Sequence, residues 1–338
     1  MSTEIIFRAD AYTEIGTGHV MRCLALANTC RETGNGTRFV GRIEDEVLLE
    51  RLKQCGHKFT ALTASHEDKW MDSVNQEVDW VVLDGYGFDL RDHQMIHDAG
   101  AKLLVIDDMA NLDAYEAEII LNQNFSANEA AYHRTCEAKM LMGPKFALLR
   151  QEFVGRRSEM RGTQACRLLI TLGGSDPQGV SLRVTEALTK IHDVRFEVRL
   201  IAGSSNPHFD QLNAAAKLAC NSCHVIDVQH FTDDMPSEMA WADFAVIAGG
   251  STSLEVAYMG LPALVLTLAD NQAAIAVAMQ KSGVAESLGW YNTLTADTLA
   301  TALKRLANDV PRRQAMAAHG QALVDGFGAK RVVETILE

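Results

Sequence analysis

Residues 7–27 read FRADAYTEIGTGHVMRCLALA, a short apolar run followed by a glycine turn and then by apolar residues at helical spacing. Val20, Leu24 and Ala27 recur along one helix face, so the stretch predicts a strand, a tight turn and a helix that packs inward. Glycine allows a tight turn without a Cβ clash, and the first amides of a helix point outward unpaired. Gly16-Thr17-Gly18 is therefore expected to form a loop that can hold an anion. His19 stands at the mouth of the helix, free for chemistry. A helix N-terminus favours the neutral imidazole, the form that accepts a proton as a general base. Asp10, at the end of the preceding strand, is placed to orient the ring. Arg22, one turn on, either touches substrate or pairs with Asp10, and a structural ion pair is the alternative reading of both.

Outward from this unit, the same alternation repeats. In the first half IIFRA, TRFVG, KFTAL, DWVVLDG, KLLVIDD and EIILNQ alternate with HVMRCLALANTCRE, EDEVLLERLKQCG and DLRDHQMIHDAG. In the second half CRLLITLGG, FEVRLIAG, CHVIDVQ, FAVIAGG and PALVLTL are separated by helices such as GVSLRVTEALTKIH and STSLEVAYMG. Strand–helix alternation requires a parallel sheet covered on both faces, so the expected fold is α/β with two doubly wound Rossmann-like domains. They are assigned to residues 1–153 and 165–338. The polar, aperiodic QEFVGRRSEMRGTQA (151–165) is the linker, and the last helix, around KRVVETILE, is free to return onto the first domain. Open parallel sheets bind ligands beyond the carboxyl ends of their strands, which puts the expected site in a cleft between two facing sheets.

The chain has 338 residues, 47% of them hydrophobic, enough for a sizeable core. A net charge of -13 and the lack of any lysine- or arginine-rich run argue against nucleic-acid binding. No run of about 18 apolar residues exists, and MSTEIIFRAD lacks the basic and apolar regions of a signal peptide; a cytoplasmic protein without a membrane span is expected. Seven cysteines, an odd number mostly in apolar contexts, suit reduced thiols. Cys220-Asn221-Ser222-Cys223 is the single C-x-x-C pair, and zinc would need further ligands, His224 and His230 being nearest.

Other motifs bear on the ligand. A dinucleotide fingerprint needs a third glycine where Met21 stands, which disfavours a nicotinamide or flavin. TLGGSDPQG (171–179) predicts another glycine turn with free amides, through Gly174, and a Ser175 hydroxyl. AGGSTSLEVAYMGLPALVL (248–266) puts Gly249, Gly250, Ser251 and Thr252 at the start of a helix whose N-terminus can cradle phosphate. Glu255, one turn in, suits ribose hydroxyls or simply stabilises the helix. Asn271 and Gln272 cap a helix or face a polar ligand. Tyr86, in the turn of VVLDGYGFD, lines a pocket or packs. Asp107 and Asp108 read as acids, metal ligands or a helix cap, and His93 and His97, spaced i, i+4 on a polar helix, as solvated.

Together these stretches carry a resemblance. GTGHVMRCLALA is similar to the amino-terminal glycine loop of the MurG-like GT-B nucleotide-sugar enzymes, and GGSDPQG and GGSTSLEVAYMGLPALVL to their carboxy-terminal donor-site loops. The pattern R-x-D-x-x-x-x-I-G-x-G-H-V-M-R-C-L-x-L-A, with VIDDMA, LNQN and KFALLRQEF, resembles the UDP-2,4-diacetamido-2,4,6-trideoxy-β-L-altropyranose hydrolase family of pseudaminic acid biosynthesis over nearly the whole chain. The resemblance implies a GT-B fold and a metal-independent, cofactor-free hydrolase. Water would attack the anomeric carbon of a UDP-sugar, the expected partner, with inversion; a monomer is one state the sequence leaves open. It makes His19 the general base, places Tyr86 and Asn271 in the pocket, and sets Ser251, Thr252 and Glu255 against diphosphate and ribose. Two alternatives stay open: an inverting glycosyltransferase that activates a sugar hydroxyl instead of water, and a nucleotide-binding protein without catalysis.

Overall fold

The structure, a computed structural model, describes residues 3–12, 15–63, 70–72, 74, 78–134, 137–157, 166–203, 205–220 and 224–338. Cys136, Cys223 and most of the expected linker lie outside the described residues. The chain divides into two compact units, one formed by Met1–Gln151 with Gly326–Glu338 and the other by Glu152–Asp325.

The first unit is built on β1 (Glu4–Ala9), α1 (Gly18–Glu32), β2 (Gly36–Gly41), α2 (Glu46–Gln54), β3 (Lys58–Ala61), β4 (Trp80–Asp84), α3 (Leu90–Asp98), β5 (Lys102–Ile106), β6 (Ile119–Asn122) and β7 (Lys139–Met142). The strands form a parallel sheet in the order β3-β2-β1-β4-β5-β6-β7. Its central strands read as continuous apolar runs because helices cover both faces. Ile5, Ile6 and Phe7 of β1 and Val81, Val82 and Leu83 of β4 are all buried. The order reverses between β1 and β4, and this switch point opens a crevice beyond their carboxyl ends. Asp84, the last residue of β4, pairs in register with Ala9 of β1, so it ends directly beside the glycine turn.

The second unit contains β8 (Arg167–Thr171), α4 (Val180–Leu188), β9 (Glu197–Ile201), α5 (Phe209–Cys220), β10 (Val225–Gln229), α6 (Met235–Trp241), β11 (Phe244–Ala248), α7 (Thr252–Met259), β12 (Ala263–Thr267), α8 (Asp270–Lys281), β13 (Ala285–Trp290), α9 (Ala296–Asn308) and α10 (Val310–Leu323). Its sheet runs β10-β9-β8-β11-β12-β13, also parallel, and its order reverses between β8 and β11. The final helix α11 (Gly328–Leu337) belongs to the first unit, where Val332, Val333 and Ile336 join the same apolar cluster as Leu24 and Ala27 of α1. No described helix is long and apolar enough to cross a membrane.

Candidate active site

The glycine turn leaves β1 with Gly16 at φ +72°, a left-handed conformation that glycine adopts without strain. Among the described residues no side chain caps α1, and no acidic residue occupies its first turn, so the turn keeps its outward amides. His19 is the second residue of α1 and only 7% exposed, less open than the sequence suggests. It lines a cavity of about 700 Å³ together with Asp10, Tyr12, Ile15, Asp84 and Tyr86. The Tyr86 ring, half exposed, stands edge-on to the imidazole at 4.9 Å.

Asp10 does not orient the ring. Its Oδ1 accepts from Arg8 Nη1 at 2.5 Å and from the Arg42 amide at 2.7 Å. The orienting carboxylate is Asp84, fully buried, whose Oδ1 lies 2.6 Å from His19 Nδ1. Burial alone would push the Asp84 carboxyl up. The Arg22 guanidinium and the His19 ring, with their hydrogen bonds, outweigh it and hold the group well below the usual carboxylate range. An ionised carboxylate can only accept, so Nδ1 carries the proton and donates it to Asp84. The other tautomer would set a nitrogen lone pair against an oxygen lone pair at that distance. Nε2 is thereby the ring atom left to take up a proton.

Nor does Arg22 pair with Asp10. Its Nε and Nη2 donate to the two Asp84 oxygens at 2.6 Å each, and Nη1 donates to both Asp108 oxygens at 2.9 and 2.8 Å. Asn124 Nδ2 donates to Asp108 from beyond β6 at 2.6 Å, and Tyr86 Oη lies 3.5 Å from it. Asp108 is thus an anchor for arginine. Asp107 closes its own turn by accepting from the Met109 and Ala110 amides and from the Tyr115 hydroxyl. Asp84 and Asn124 were missed by sequence reasoning. Each stands where an apolar strand runs out, in DWVVLDG and LNQN, but only the strand order brings those ends to one place.

His93 is not solvated but fully buried, and its Nδ1 accepts from the Glu116 amide. His97 is half-buried and approaches Glu118. His224 is structural too: Nδ1 accepts from the Phe196 amide while Nε2 faces the Leu188 and Ile191 carbonyls. Among the described residues no group of three His, Cys, Asp or Glu side chains is placed to hold a metal ion.

In the second unit the two glycine loops flank the switch point of the sheet, one after β8 and one after β11. The helix that TLGGSDPQG opens does not begin with free amides. Asp176, a buried residue at φ +40°, accepts from the Val180 and Ser181 amides and closes the start of α4. Gly174 and Ser175 stay exposed before it. Gly203 packs against this loop so closely that a Cβ there would fall 2.2 Å from the Gly174 carbonyl oxygen. The loop after β11 differs, because Ser251 makes no side-chain cap at the start of α7; instead the Ser253 and Leu254 amides turn back onto the Gly250 and Ser251 carbonyls. Gly250, Ser251 and Thr252 surround that terminus. Glu255 is 8% exposed, turned inward from the first turn of α7. Gln272 Oε1 accepts from the Leu268 amide, while Asn271 stands exposed at the start of α8.

Residues 168–333 match the family model described as glycosyltransferase family 28 C-terminal domain. The structure superimposes on the crystal structure of Acinetobacter baumannii MurG with a TM-score of 0.71, covering 99% of each chain at 18% identity. The chain has a MurG-like GT-B fold. In sequence, this GT-B chain is 25% identical over 327 residues to the spore coat polysaccharide biosynthesis protein SpsG of Bacillus subtilis (strain 168), covering 96% of this chain and 95% of that one. It is 26% identical over 231 residues to the UDP-2,4-diacetamido-2,4,6-trideoxy-beta-L-altropyranose hydrolase of Campylobacter jejuni subsp. jejuni serotype O:2, covering 66% of this chain and 78% of the relative.

Proposed function

We propose that this protein is a nucleotide-sugar hydrolase that converts a UDP-linked 2,4-diacetamido-2,4,6-trideoxy sugar to UDP and free sugar, by water attack at the anomeric carbon with inversion. The observation that carries the reading is the His19–Asp84 pair, 2.6 Å apart at the edge of a cavity large enough for a monosaccharide. With Nδ1–H held by a carboxylate, Nε2 takes a proton from water as the oxygen attacks, and Asp84 stabilises the imidazolium that forms. In this reading Asp10 and Tyr86 face the sugar and the Gly16 and Gly18 turn lies against it. The uncapped start of α7, through Gly250, Ser251 and Thr252, holds the diphosphate as leaving group, with Glu255 on the ribose and Gly174, Ser175 and Asn271 completing the nucleotide site. The similarity to the Campylobacter hydrolase supports the choice of sugar.

A second reading, transfer to an acceptor hydroxyl activated by the same base, is supported by the match to a glycosyltransferase domain model. Incubation with the UDP-sugar and no acceptor separates the two. Steady release of UDP and free sugar is expected, whereas strict dependence on an added acceptor means transfer. In ¹⁸O-labelled water the label should enter the sugar, and the anomer released first should be opposite in configuration to the substrate. Label in the UDP phosphate would overturn attack at carbon.

A further inference from the structure

Arg22 lies on the face of α1 that points at the ends of β4 and β5, with a side chain 11% exposed. Its guanidinium makes four hydrogen bonds to two carboxylates, two to Asp84 and two to Asp108. Burial pulls against its charge, but Asp108 and Asp84 more than reverse this and keep the group firmly protonated. The planar fork cannot turn without breaking bonds to both partners, because the Asp84 and Asp108 oxygens lie on different edges of it. Asn124 fixes Asp108 from the far side. The result is a chain of buried contacts running from Asn124 through Asp108 and Arg22 to Asp84 and His19.

We propose that Arg22 is the positioning residue of the His19 base: by bridging Asp84 to Asp108 it keeps Asp84 a fixed, ionised acceptor for the Nδ1 proton, and so fixes Nε2 as the basic atom. Arg22 touches no substrate in this role. The inference rests on the reading of His19 as the base. The titratable and charged groups facing Asp84 are His19, Arg22 and Cys23 from α1, with Asp108 beyond Arg22 at the end of β5. Of these only Arg22 is a permanent cation. Without it, Asp84 would be a buried carboxylate between a neutral ring and a thiol. It would tend to take up a proton, donate to Nδ1 and switch the tautomer.

The test uses the full chain labelled with ¹⁵N-histidine, with the His19 signals assigned by their loss in His19→Asn. In the parent protein the neutral ring should be the Nδ1–H form alone. Arg22→Gln should show a mixture of tautomers, and kcat for UDP release should fall about 10–100-fold with KM nearly unchanged, a part of the roughly 10²–10⁴-fold that a general base supplies. Its acid limb should also move, because Asp84 then titrates. Arg22→Lys, which keeps the charge but not the fork, should recover part of kcat. If Arg22→Gln fails to fold, Asp108→Asn, which keeps an acceptor for Arg22, should give a smaller shift in the same direction. A parental tautomer and pH profile in the folded variants would overturn the proposal, and so would a rise in KM with kcat intact, the mark of a substrate contact. If His19→Asn turns over at the parental rate while Arg22→Gln still switches the tautomer, the positioning role stands and the base assignment falls.

Discussion

The two units share a sheet topology with one reversal of strand order, yet their switch points carry opposite kinds of chemistry. In the first unit side chains do the work. His19, Arg22, Asp84 and Asp108 sit in a largely buried chain of hydrogen bonds in which the Arg22 cation stands between the Asp84 and Asp108 carboxylates. In the second unit the backbone predominates: Ser251 makes no side-chain cap on α7, whose first amides turn back onto the Gly250 and Ser251 carbonyls, whereas the start of α4 is closed by the Asp176 carboxylate. A base needs an acceptor fixed behind it, so charge accumulates and must be paired. An anion site needs donors that no carboxylate already occupies, so the start of α7 suits an anion better than the start of α4, which Asp176 holds.

The largest expected effect tests the side-chain half of that contrast. Asp84→Asn keeps the shape of the acceptor but can donate to Nδ1 and stabilise the wrong tautomer. By the logic of the Ser-His-Asp triad, kcat should fall about 10⁴-fold, at least as far as in His19→Ala, with affinity for UDP unchanged by calorimetry. A loss under tenfold in a folded variant would mean that the pair does not act as a unit.

Next comes a difference in response to acid. Burial lowers His57, with a further push from Arg31, to about 4, and burial lowers His93, with a push from His97, also to about 4. Both belong to the first unit. Each binds a proton less readily folded than unfolded, so the stability it contributes is complete above about pH 6.5 and is lost as pH falls from there to about 4, on the order of 3 kcal/mol each. Asp84 keeps its contribution throughout that window. Hydrogen exchange at pH 7 and 4.5, corrected for intrinsic rates, should show the β1–β7 sheet losing protection before the β8–β13 sheet. Equal loss in both would refute the assignment.

The smallest effects separate the two helix starts. Asp176→Ala opens the amides of Val180 and Ser181 and should cost about 1–2 kcal/mol by denaturant titration. Ser251→Ala removes no cap and should leave stability within about 0.5 kcal/mol. A comparable loss at both positions would erase the distinction drawn between the loops.

The strand–helix alternation was plain in the sequence because each element declares itself locally: DWVVLDG and FAVIAGG are continuous apolar runs ended by glycine. β7 and β13 were not anticipated. KMLM is four residues long at a sheet edge, and AESLGW carries a register shift and only two fully buried residues, so neither has the pattern of a central strand. His19 was legible as a candidate base from its place after the glycine turn. Its partner was not, and Asp10 looked the better choice because it is nine residues away instead of 65.

By itself, the sequence determined the class of fold, the glycine-led helix starts, one in the first half and two in the second, and the identity of the candidate base, since period, turn chemistry and helix termini are properties of a few neighbouring residues. The tertiary structure decided which carboxylate holds the ring, where Arg22 spends its hydrogen bonds, and which glycine-led helix start of the second unit a carboxylate closes. Those depend on strand order. Asp84 ends β4 and Asp108 follows β5; β4 adjoins β1, and β5 adjoins β4, only because the chain crosses back after β3, and no local pattern encodes which strand ends will meet.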